Sequence, residues 1–406
     1  MDVQILPRPL RGAVTPPPSK SMAHRLLIAA ALAQGESTIE NIALSQDIEA
    51  TLRCVEALGG SWTQLGPGAL RVNGIGENRV RTPLPALDCG ESGSTLRFFL
   101  PIALAAAGGG VFTGRGRLME RPQQPYFDLF AEKGIRCARS GGALTVQGTL
   151  TPGNYRLPGN VSSQFFTGLL FALSRLEGAS AVVSTTALES ADYVTMTIQA
   201  MERAGVAVTV SPEGTAFQVR GQRYRPFSAA VEADWSQAGF WYAANFLGGE
   251  VELRGLNRRS AQGDMAVDAL FRRLTAPREA EIDLSPIPDL LPPLAVMAAG
   301  RNSVTRFVNA GRLRIKESDR LQSVCAMLRA LGIDAEEGPE SLTVRGGTLR
   351  GGTVDGANDH RIVMAAAIAA SRCASPVTIL GAEAVQKSYP DFFDHYRALG
   401  GEVHVL

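Results

Sequence analysis

Apolar and polar positions along the chain follow two alternating patterns. In the first, an alanine-rich segment with apolar residues on nearly every helical face stops at small residues and leads into a short strand, as in LLIAAALAQGESTIEN and LPIALAAAGGGVFTG. In the second, the end of a helix leads through a glycine into two alternating strands joined by a glycine-rich turn, as in MERAGVAVTVSPEGTAFQVRG from Met201. A helix that is apolar all round is buried on all sides, whereas an alternating strand buries one face.

The first pattern occurs in six segments spaced by roughly 60–75 residues, and self-similarity at a fixed period indicates a repeat architecture. Further copies of the second pattern start at Val55, Phe130, Leu328 and Tyr396, and FRRLTAPREAEIDL from Phe271 could be a degraded one. We therefore expect an α/β fold of two domains, each with three units whose internal helices are covered by sheets. The alternative is a doubly wound parallel sheet, which requires near-continuous apolar strands and a phosphate-binding glycine loop after the first strand. The chain has neither feature.

Composition and charge narrow the class of protein. With 406 residues, of which 45% are hydrophobic and 19% charged, the chain is globular and long enough for two domains. The net charge of +1 at pH 7 gives no reason to expect nucleic acid or a membrane surface as a partner. The five cysteines form no metal-binding motif, the N-terminus has no signal-peptide pattern, and no apolar stretch could span a bilayer. We expect a cytoplasmic protein without a metal site.

Basic and hydroxyl residues collect where the apolar helices begin. PPPSKSMAHRLLIAAALA places Lys20, Ser21 and Arg25 in the first turns of a helix that should start near Ser19 or Ser21. GESGSTLRF places a Gly/Ser loop, with Gly93 in it, before another helix. Exposed backbone N–H groups, hydroxyls and cations together bind phosphate. An ordinary capped helix with solvated cations also explains each segment when it is taken alone.

Three further segments in the first half carry residues of these types. They are NVSSQFFTGLL with Ser162, Ser163 and Gln164, LESADYVTM with Ser190 and Tyr193, and GRGRLMERP with Arg121. The serines could instead be plain N-caps, and the basic segment a solvated turn.

In the second half of the chain, charged residues lie in apolar surroundings or near helix starts. Asp289 lies in SPIPDLLPPLAV, where a carboxylate is costly unless it has a partner. If RIKESDR is helical from about Lys316, then Lys316 and Arg320 share a face with Glu317 beside them. The alternative is a surface helix with paired charges. The remaining candidate cations are Arg361 in NDHRIVMA and Lys387 in VQKSYPDF. Together these helix starts predict an anion-binding cleft for a substrate with several negative groups.

Nine segments, in order, resemble those of the EPSP synthases, which belong to the enolpyruvyl transferase family. They are PSKSMAHR, CGESGSTLRF, ERP, SSQF, SADY, IPDLLP, RIKESDR, DHRIVMA and KSYPDF. The resemblance implies a two-domain inside-out α/β barrel with three βαββαβ-type repeats per domain. It implies that residues 1–18 with 233–406 form one domain and residues 19–232 the other, with the active site in the cleft between them.

The resemblance also implies the reaction. A monomer would transfer the enolpyruvyl group of phosphoenolpyruvate to the 5-hydroxyl of shikimate 3-phosphate, in the biosynthesis of chorismate and the aromatic amino acids. No metal or organic cofactor is expected, because cationic side chains can balance the substrate charges. The residues implied for shikimate 3-phosphate are Ser21, Arg25, Ser162, Ser163, Ser190, Tyr193, Asp289 and Lys316. Those implied for phosphoenolpyruvate are Lys20, Gly93, Arg121, Gln164, Arg320, Arg361 and Lys387. Asp289 and Glu317 would be the acid/base pair, with Lys20 also catalytic.

Two positions depart from the family pattern, and two alternatives to this function exist. Glu91 stands where many members have Asn, and Arg312 where some have Asn, so neither receives a role. Glyphosate inhibits many members by occupying the phosphoenolpyruvate site, and Glu91 leaves the sensitivity of this chain open. Transferases acting on UDP-N-acetylglucosamine typically carry a Cys in the loop that here reads GRGRLMERP and a Lys-Asn pair near the N-terminus, whereas here Lys20 precedes Ser21. An inactive phosphometabolite-binding protein should have lost Lys20 or part of the acid/base pair, and all are present.

Overall fold

Strands and helices alternate along the chain in this computed structural model, which describes residues 1–406. The strands are β1 (Val3–Leu6), β2 (Arg11–Val14), β3 (Glu36–Glu40), β4 (Ser61–Gly66), β5 (Ala69–Asn73), β6 (Ala86–Asp88), β7 (Gly109–Thr113), β8 (Arg136–Ser140), β9 (Ala143–Gln147), β10 (Asn154–Leu157), β11 (Ala179–Ser184), β12 (Thr209–Val210), β13 (Ala216–Arg220), β14 (Ser228–Ala230), β15 (Glu250–Leu253), β16 (Ala280–Asp283), β17 (Val304–Val308), β18 (Asp334–Glu337), β19 (Leu342–Arg345), β20 (Gly352–Asp355), β21 (Val377–Leu380) and β22 (Glu402–Val405). The helices are α1 (Lys20–Leu32), α2 (Gln46–Ala57), α3 (Gly93–Ala107), α4 (Gln124–Glu132), α5 (Gln164–Leu173), α6 (Ala191–Arg203), α7 (Trp235–Phe246), α8 (Val267–Leu274), α9 (Leu291–Ala299), α10 (Arg320–Ala330), α11 (His360–Ala370) and α12 (Phe392–Ala398).

The chain divides into two compact units. Residues 1–17 and 233–406 form a discontinuous unit, and residues 18–232 form a continuous unit. The discontinuous unit contains β1, β2 and all elements from α7 onward, and the continuous unit contains α1 to α6 and β3 to β14.

One strand arrangement recurs in both units. Five sheets have four strands, in the orders β20-β21-β1-β22, β16-β17-β19-β18, β14-β3-β5-β4, β6-β7-β9-β8 and β10-β11-β13-β12. In each, the first two strands pair parallel and the others antiparallel. The sixth sheet consists only of β2 and β15, and after it the segment from Phe271 leads directly into the next sheet without a hairpin. The repeat predicted from the sequence is confirmed.

The alanine-rich segments form the interior of each unit. In the discontinuous unit α7, α9 and α11 contact one another, and every residue of α11 is buried. In the continuous unit α3 packs on α5, and α1 is buried from Met22 to its end. Helices with apolar faces all round require such enclosure, so the predicted internal helices are confirmed. None of the helices has the combined length and apolar composition needed to cross a membrane.

Short polar side chains define where these helices begin. Ser19 Oγ accepts a hydrogen bond from Met22 N at 3.4 Å, so α1 starts where the sequence predicts. Ser92 Oγ accepts one from Thr95 N at 3.2 Å at the start of α3. Asp359 caps α11 in the same way. These caps satisfy backbone donors that a helix leaves unpaired, and they hold the first turns that carry the candidate residues.

The helix predicted from about Lys316 is wrong. Residues Gly311–Ile315 form a 3-10 helix, Lys316 has an extended backbone, and α10 begins only at Arg320. The N-cap is Asp319, whose Oδ1 accepts a hydrogen bond from Gln322 N at 3.1 Å. An aspartate side chain competes for backbone donors inside a helix and is preferred at its start. Lys316 and Arg320 therefore share no helical face.

Candidate active site

The first turn of α1 carries a paired lysine. Lys20 is the first residue of the helix, and its Nζ lies 2.7 Å from Oδ2 of Asp47 on α2. Both side chains are mostly buried. A charge-assisted contact of this length fixes the position of the ammonium group.

Arg25 is a buried cation whose hydrogen-bond partners are neutral oxygens. Its Nη1 donates to Ser21 O at 2.7 Å, and its Nε donates to Tyr193 O at 3.1 Å and to Thr197 Oγ1 at 2.9 Å. The guanidinium also lies over the rings of Phe98 and Tyr193. Burial lowers the pKa of Arg25 to about 10, so the group is still charged at neutral pH. Because its charge is met by neutral oxygens and rings, it is suited to receive an anion.

Gly93 and Arg121 lie against each other. Gly93 is the first residue of α3, and a Cβ on it would lie 2.6 Å from Arg121 Nη1 and 2.8 Å from Arg121 Cζ. Arg121 is buried, and its backbone N–H donates to the carbonyls of Arg117 and Leu118. The alternative of a solvated turn therefore holds for Arg115 and Arg117, which are exposed, but not for Arg121, which covers the glycine.

Gln164, the first residue of α5, is held by two side chains of α3. Its Oε1 accepts a hydrogen bond from Arg97 Nη1 at 2.8 Å, and its Nε2 donates to Ser94 Oγ at 2.9 Å. Ser162 Oγ accepts one from Gln164 N at 3.3 Å, whereas the Ser163 side chain forms no capping bond. These contacts fix the Gln164 amide against α3.

Ser190 and Tyr193 lie at the start of α6. Ser190 is buried and has a left-handed backbone with φ of 53°, and its carbonyl accepts a hydrogen bond from Tyr193 N at 3.2 Å. A non-glycine residue in this region is uncommon and often marks a functional constraint.

In the discontinuous unit, three cations surround Asp289. Its Oδ1 accepts hydrogen bonds from Arg320 Nη1 at 2.8 Å and from Lys316 Nζ at 3.3 Å. Its Oδ2 lies 3.5 Å from Arg361 Nη2, and its carbonyl accepts a hydrogen bond from Arg361 Nη1 at 3.1 Å. The sequence expectation that this carboxylate needs partners is satisfied.

Arg320 bridges three carboxylates. Besides Asp289, its Nη2 donates to Glu317 Oε2 at 2.7 Å, and its Nε donates to Asp359 Oδ2 at 2.8 Å. Arg320 and Asp359 are fully buried, whereas the side chains of Asp289 and Glu317 remain 19% and 18% exposed. Burial by itself raises the pKa of Asp359, but the Arg320 guanidinium more than offsets this, so that the pKa lies below its ordinary value.

Lys316 and Lys387 have contrasting surroundings. Burial lowers the pKa of Lys316 to about 8, although the nearby Asp289 favours the charged form. Lys387 is buried at the end of a 3-10 helix, and its Nζ donates to Asn358 O at 2.7 Å. Lys316 therefore loses its proton within reach of physiological pH, and the position of the Lys387 ammonium group is fixed by a backbone carbonyl.

Comparison with known proteins identifies the family. Residues 6–396 match the family model described as EPSP synthase (3-phosphoshikimate 1-carboxyvinyltransferase). This chain belongs to the EPSP synthase family. It is 41% identical over 419 residues to the 3-phosphoshikimate 1-carboxyvinyltransferase of Clostridium acetobutylicum, covering 99% of this chain and 98% of the relative. It is 40% identical over 425 residues to that of Clostridium novyi, covering 98% of each chain.

Solved structures share the fold. An EPSP synthase from Acinetobacter baumannii matches with a TM-score of 0.81 and 24% identity, covering 100% of both chains. The enolpyruvyl transferase NikO from Streptomyces tendae matches with a TM-score of 0.80 and 18% identity, covering 99% of this chain and 98% of the other. The α/β architecture expected for the family is confirmed.

Asp47, Arg97 and Asp359 contact the predicted residues but are not among the candidates drawn from the sequence. Asp359 precedes an alanine-rich helix, and that N-cap pattern could have identified it. Arg97 lies one turn into α3 and also donates to Pro122 O at 3.1 Å, next to Arg121. Nothing in the sequence marks Asp47 as the partner of Lys20, because 27 residues separate them.

The two positions that depart from the family pattern have identifiable neighbours. The Glu91 carboxylate lies against Gly116, where a Cβ would be 2.5 Å from Glu91 Oε2. Arg312 Nη2 donates to Ser285 O. These contacts describe the surroundings of the two side chains and assign them no role in binding.

Proposed function

We propose that this protein transfers the enolpyruvyl group of phosphoenolpyruvate to the 5-hydroxyl of shikimate 3-phosphate, with release of phosphate, in the biosynthesis of chorismate and the aromatic amino acids. The observation that carries the proposal is the bridging of Asp289 and Glu317 by Arg320, which keeps two partly accessible carboxylates together. The reaction requires an acid and a base at one place. Relatives named for it are 40% and 41% identical over nearly the whole chain.

Shikimate 3-phosphate is an anion with free hydroxyls. Arg25, with its neutral partners, suits an anionic group, and Asp289 with Lys316 suits the hydroxyls, since a carboxylate accepts and an ammonium donates. The remaining residues proposed for this substrate are Ser21, Ser162, Ser163, Ser190 and Tyr193.

Phosphoenolpyruvate carries a phosphate and a carboxylate. We propose Lys20, Gly93 and Arg121 for one part of this substrate, because the first turn of α3 offers backbone N–H groups beside a guanidinium. The other residues proposed for it are Gln164, Arg320, Arg361 and Lys387.

The addition step needs two proton transfers. The 5-hydroxyl loses its proton and attacks C2 of phosphoenolpyruvate while C3 takes a proton, and the tetrahedral intermediate then loses phosphate and a proton from C3, which restores the double bond. Asp289 and Glu317 are the proposed acid/base pair. The contact of Glu317 with Arg320 favours its ionised form, so Glu317 must acquire a proton from water or substrate before it can donate one. Cationic side chains near the developing charge lower the barrier.

The test is phosphate release from phosphoenolpyruvate in the presence of either shikimate 3-phosphate or UDP-N-acetylglucosamine, with a reaction lacking acceptor as the blank. We expect release only with shikimate 3-phosphate, together with formation of 5-enolpyruvylshikimate 3-phosphate. Release only with the nucleotide sugar would establish the alternative acceptor. No release with either acceptor would indicate an inactive binding protein. A monomeric state and a cytoplasmic location remain predictions.

A further inference from the structure

A run of buried polar side chains connects three helices of the continuous unit. His24 Nδ1 on α1 lies 2.7 Å from Thr51 Oγ1 on α2, and Thr51 Oγ1 lies 2.8 Å from Thr95 Oγ1 on α3. Thr95 Oγ1 in turn donates to Ser92 Oγ at 2.8 Å. Each of these four side chains is at most 1% exposed. A polar run this deeply buried is costly unless every link is made, so each link strongly restrains the helices that it joins.

The hydrogen bonds of this run can donate in one direction only, from His24 towards Ser92. Because the Thr95 hydroxyl donates to Ser92, it must accept from Thr51, and the single Thr51 hydrogen is then used. Thr51 therefore accepts from His24, which carries its proton on Nδ1. Burial lowers the pKa of His24 well below its ordinary value, helped by Lys20 and Arg25, so the ring is neutral. Its Nε2 has no partner, which is tolerable for a bare acceptor but not for a buried N–H.

Thr51 lies in the middle of this run, and the contacts between α1 and α2 repeat at the same spacing on both helices. Lys20 and His24 on α1 are four residues apart, as are their partners Asp47 and Thr51 on α2. One face of α2 therefore holds Lys20 in its first turn and, one turn later, joins α1 to α3. The run ends on Ser92, which caps α3 and accepts from Thr95 N at 3.2 Å.

We propose that Thr51 is a positioning residue for phosphoenolpyruvate, since its hydroxyl holds the helix that carries Lys20 in register with the helix start that carries Gly93. This inference rests on the proposed function, because it takes both residues to contact that substrate. Ser21 and Arg25, the residues of α1 proposed for shikimate 3-phosphate, have a separate anchor, because Arg25 Nε donates to Tyr193 O and Thr197 Oγ1 on α6. Loss of the Thr51 hydroxyl should therefore weaken the binding of phosphoenolpyruvate and leave the binding of shikimate 3-phosphate unchanged.

The test is Thr51→Val, which keeps the β-branched shape and the helix propensity and replaces the hydroxyl by a methyl group. We expect the KM for phosphoenolpyruvate to rise roughly tenfold, because the variant loses both hydrogen bonds of the Thr51 hydroxyl, while the KM for shikimate 3-phosphate stays at the parent value. Thr51→Ser keeps the hydroxyl and should restore the parent KM for phosphoenolpyruvate. Thr305→Val is the matched control, since Thr305 is a fully buried threonine whose Oγ1 accepts from Arg301 Nη1. It should lower the melting temperature and leave both KM values unchanged.

Three results would overturn the inference in an active parent. They are an unchanged KM for phosphoenolpyruvate in Thr51→Val, an equal rise for both substrates, and a Thr51→Ser variant that behaves like Thr51→Val. If Thr51→Val lacks a cooperative melting transition, Thr95→Val takes its place, because it breaks the next hydrogen bond of the run. The inference then requires that the KM for phosphoenolpyruvate rises in Thr95→Val while the KM for shikimate 3-phosphate does not. A parent without phosphate release contradicts the proposed function itself, so the two failures are distinguishable.

Discussion

Replacing Gly93 by alanine tests the predicted phosphoenolpyruvate site most directly. The new Cβ would lie 2.6, 2.8 and 3.0 Å from Nη1, Cζ and Nη2 of Arg121. Gly93 opens α3 with helical geometry, and alanine is a better helix former than glycine. The folded state of the variant should therefore be at least as stable as that of the parent. The main effect of the methyl group should be to displace the Arg121 guanidinium.

The magnitude follows from how far Arg121 must move. Its backbone is held by two hydrogen bonds, so the side chain must shift, by roughly 0.5–1 Å to reach normal van der Waals separation. A charge-assisted hydrogen bond to a substrate anion is worth about 1.5–3 kcal/mol. If Arg121 loses one such bond, the KM for phosphoenolpyruvate should rise roughly tenfold to a hundredfold, with little change in the KM for shikimate 3-phosphate.

The assay is steady-state kinetics on Gly93→Ala, Arg121→Ala and the double variant. Because the methyl acts through Arg121, Gly93→Ala should add little once Arg121 is already truncated. Gly347→Ala is the matched control, since a Cβ there meets only Ile333 Cδ1 at 4.0 Å and should change nothing. A parent-like KM in Gly93→Ala would refute the reasoning. So would an undiminished effect of the methyl in the Arg121→Ala background, because the methyl would then act on the ligand itself.

Three further predictions concern the charged groups around Asp289. Glu317→Gln keeps the shape and an acceptor for Arg320, so both substrates should still bind in calorimetry while kcat falls roughly a hundredfold or more. Since the pKa of Lys316 is about 8, its positive charge is lost as pH rises through that value, and kcat/KM for shikimate 3-phosphate should decline above about pH 8. Lys316→Arg should move this decline to higher pH. A pH profile that is the same in the variant and the parent would exclude Lys316 as the titrating group. Burial, followed by the Asp289 charge, raises the pKa of Asp264 to about 7, so the folded state keeps a proton that the unfolded chain releases. The free energy of unfolding should therefore fall with rising pH between about 4 and 7, by at most about 1.4 kcal/mol per unit. Urea titrations across this pH range should show that the free energy of unfolding depends less on pH in Asp264→Asn than in the parent. An equal pH dependence in both proteins would contradict the raised pKa of Asp264.

The fold could be predicted from the sequence because its signal is repeated and local. Segments such as α11, apolar in every turn, can only be interior helices, and six copies make the pattern unmistakable. The one wrong helix start, at Lys316, arose because i and i+4 spacing describes charges on a helix but does not decide whether the helix has begun. Asp319 decided it, by capping Gln322 N. Local hydrogen bonding of a short polar side chain outweighed the spacing.

The residues that hold the candidate site together could not be predicted, because their contacts are long-range. Lys20 meets Asp47 across 27 residues, and Arg320 meets Asp359 across 39. Composition and periodicity carry no information on such pairs. The resemblance to a family supplied the residues proposed to face substrate, but the supporting side chains, Thr51 among them, emerged only from the packing of one helix on another.

The contacts of Arg320 restrict what this residue can offer to phosphoenolpyruvate. A guanidinium has five N–H groups. One at Nε donates to Asp359, one at Nη1 to Asp289, and those at Nη2 to Glu317 and Asp359. A single N–H at Nη1 remains for a ligand unless a carboxylate is released. Its fully buried charge is already balanced by three carboxylates, so its main effect is to hold Asp289 and Glu317 in place. In the proposed site, most of the charge that balances phosphoenolpyruvate on this unit therefore comes from Arg361 and Lys387. Truncating Lys387 should raise the KM for phosphoenolpyruvate without disturbing Asp289 or Glu317, whereas truncating Arg361 should also remove two contacts of Asp289.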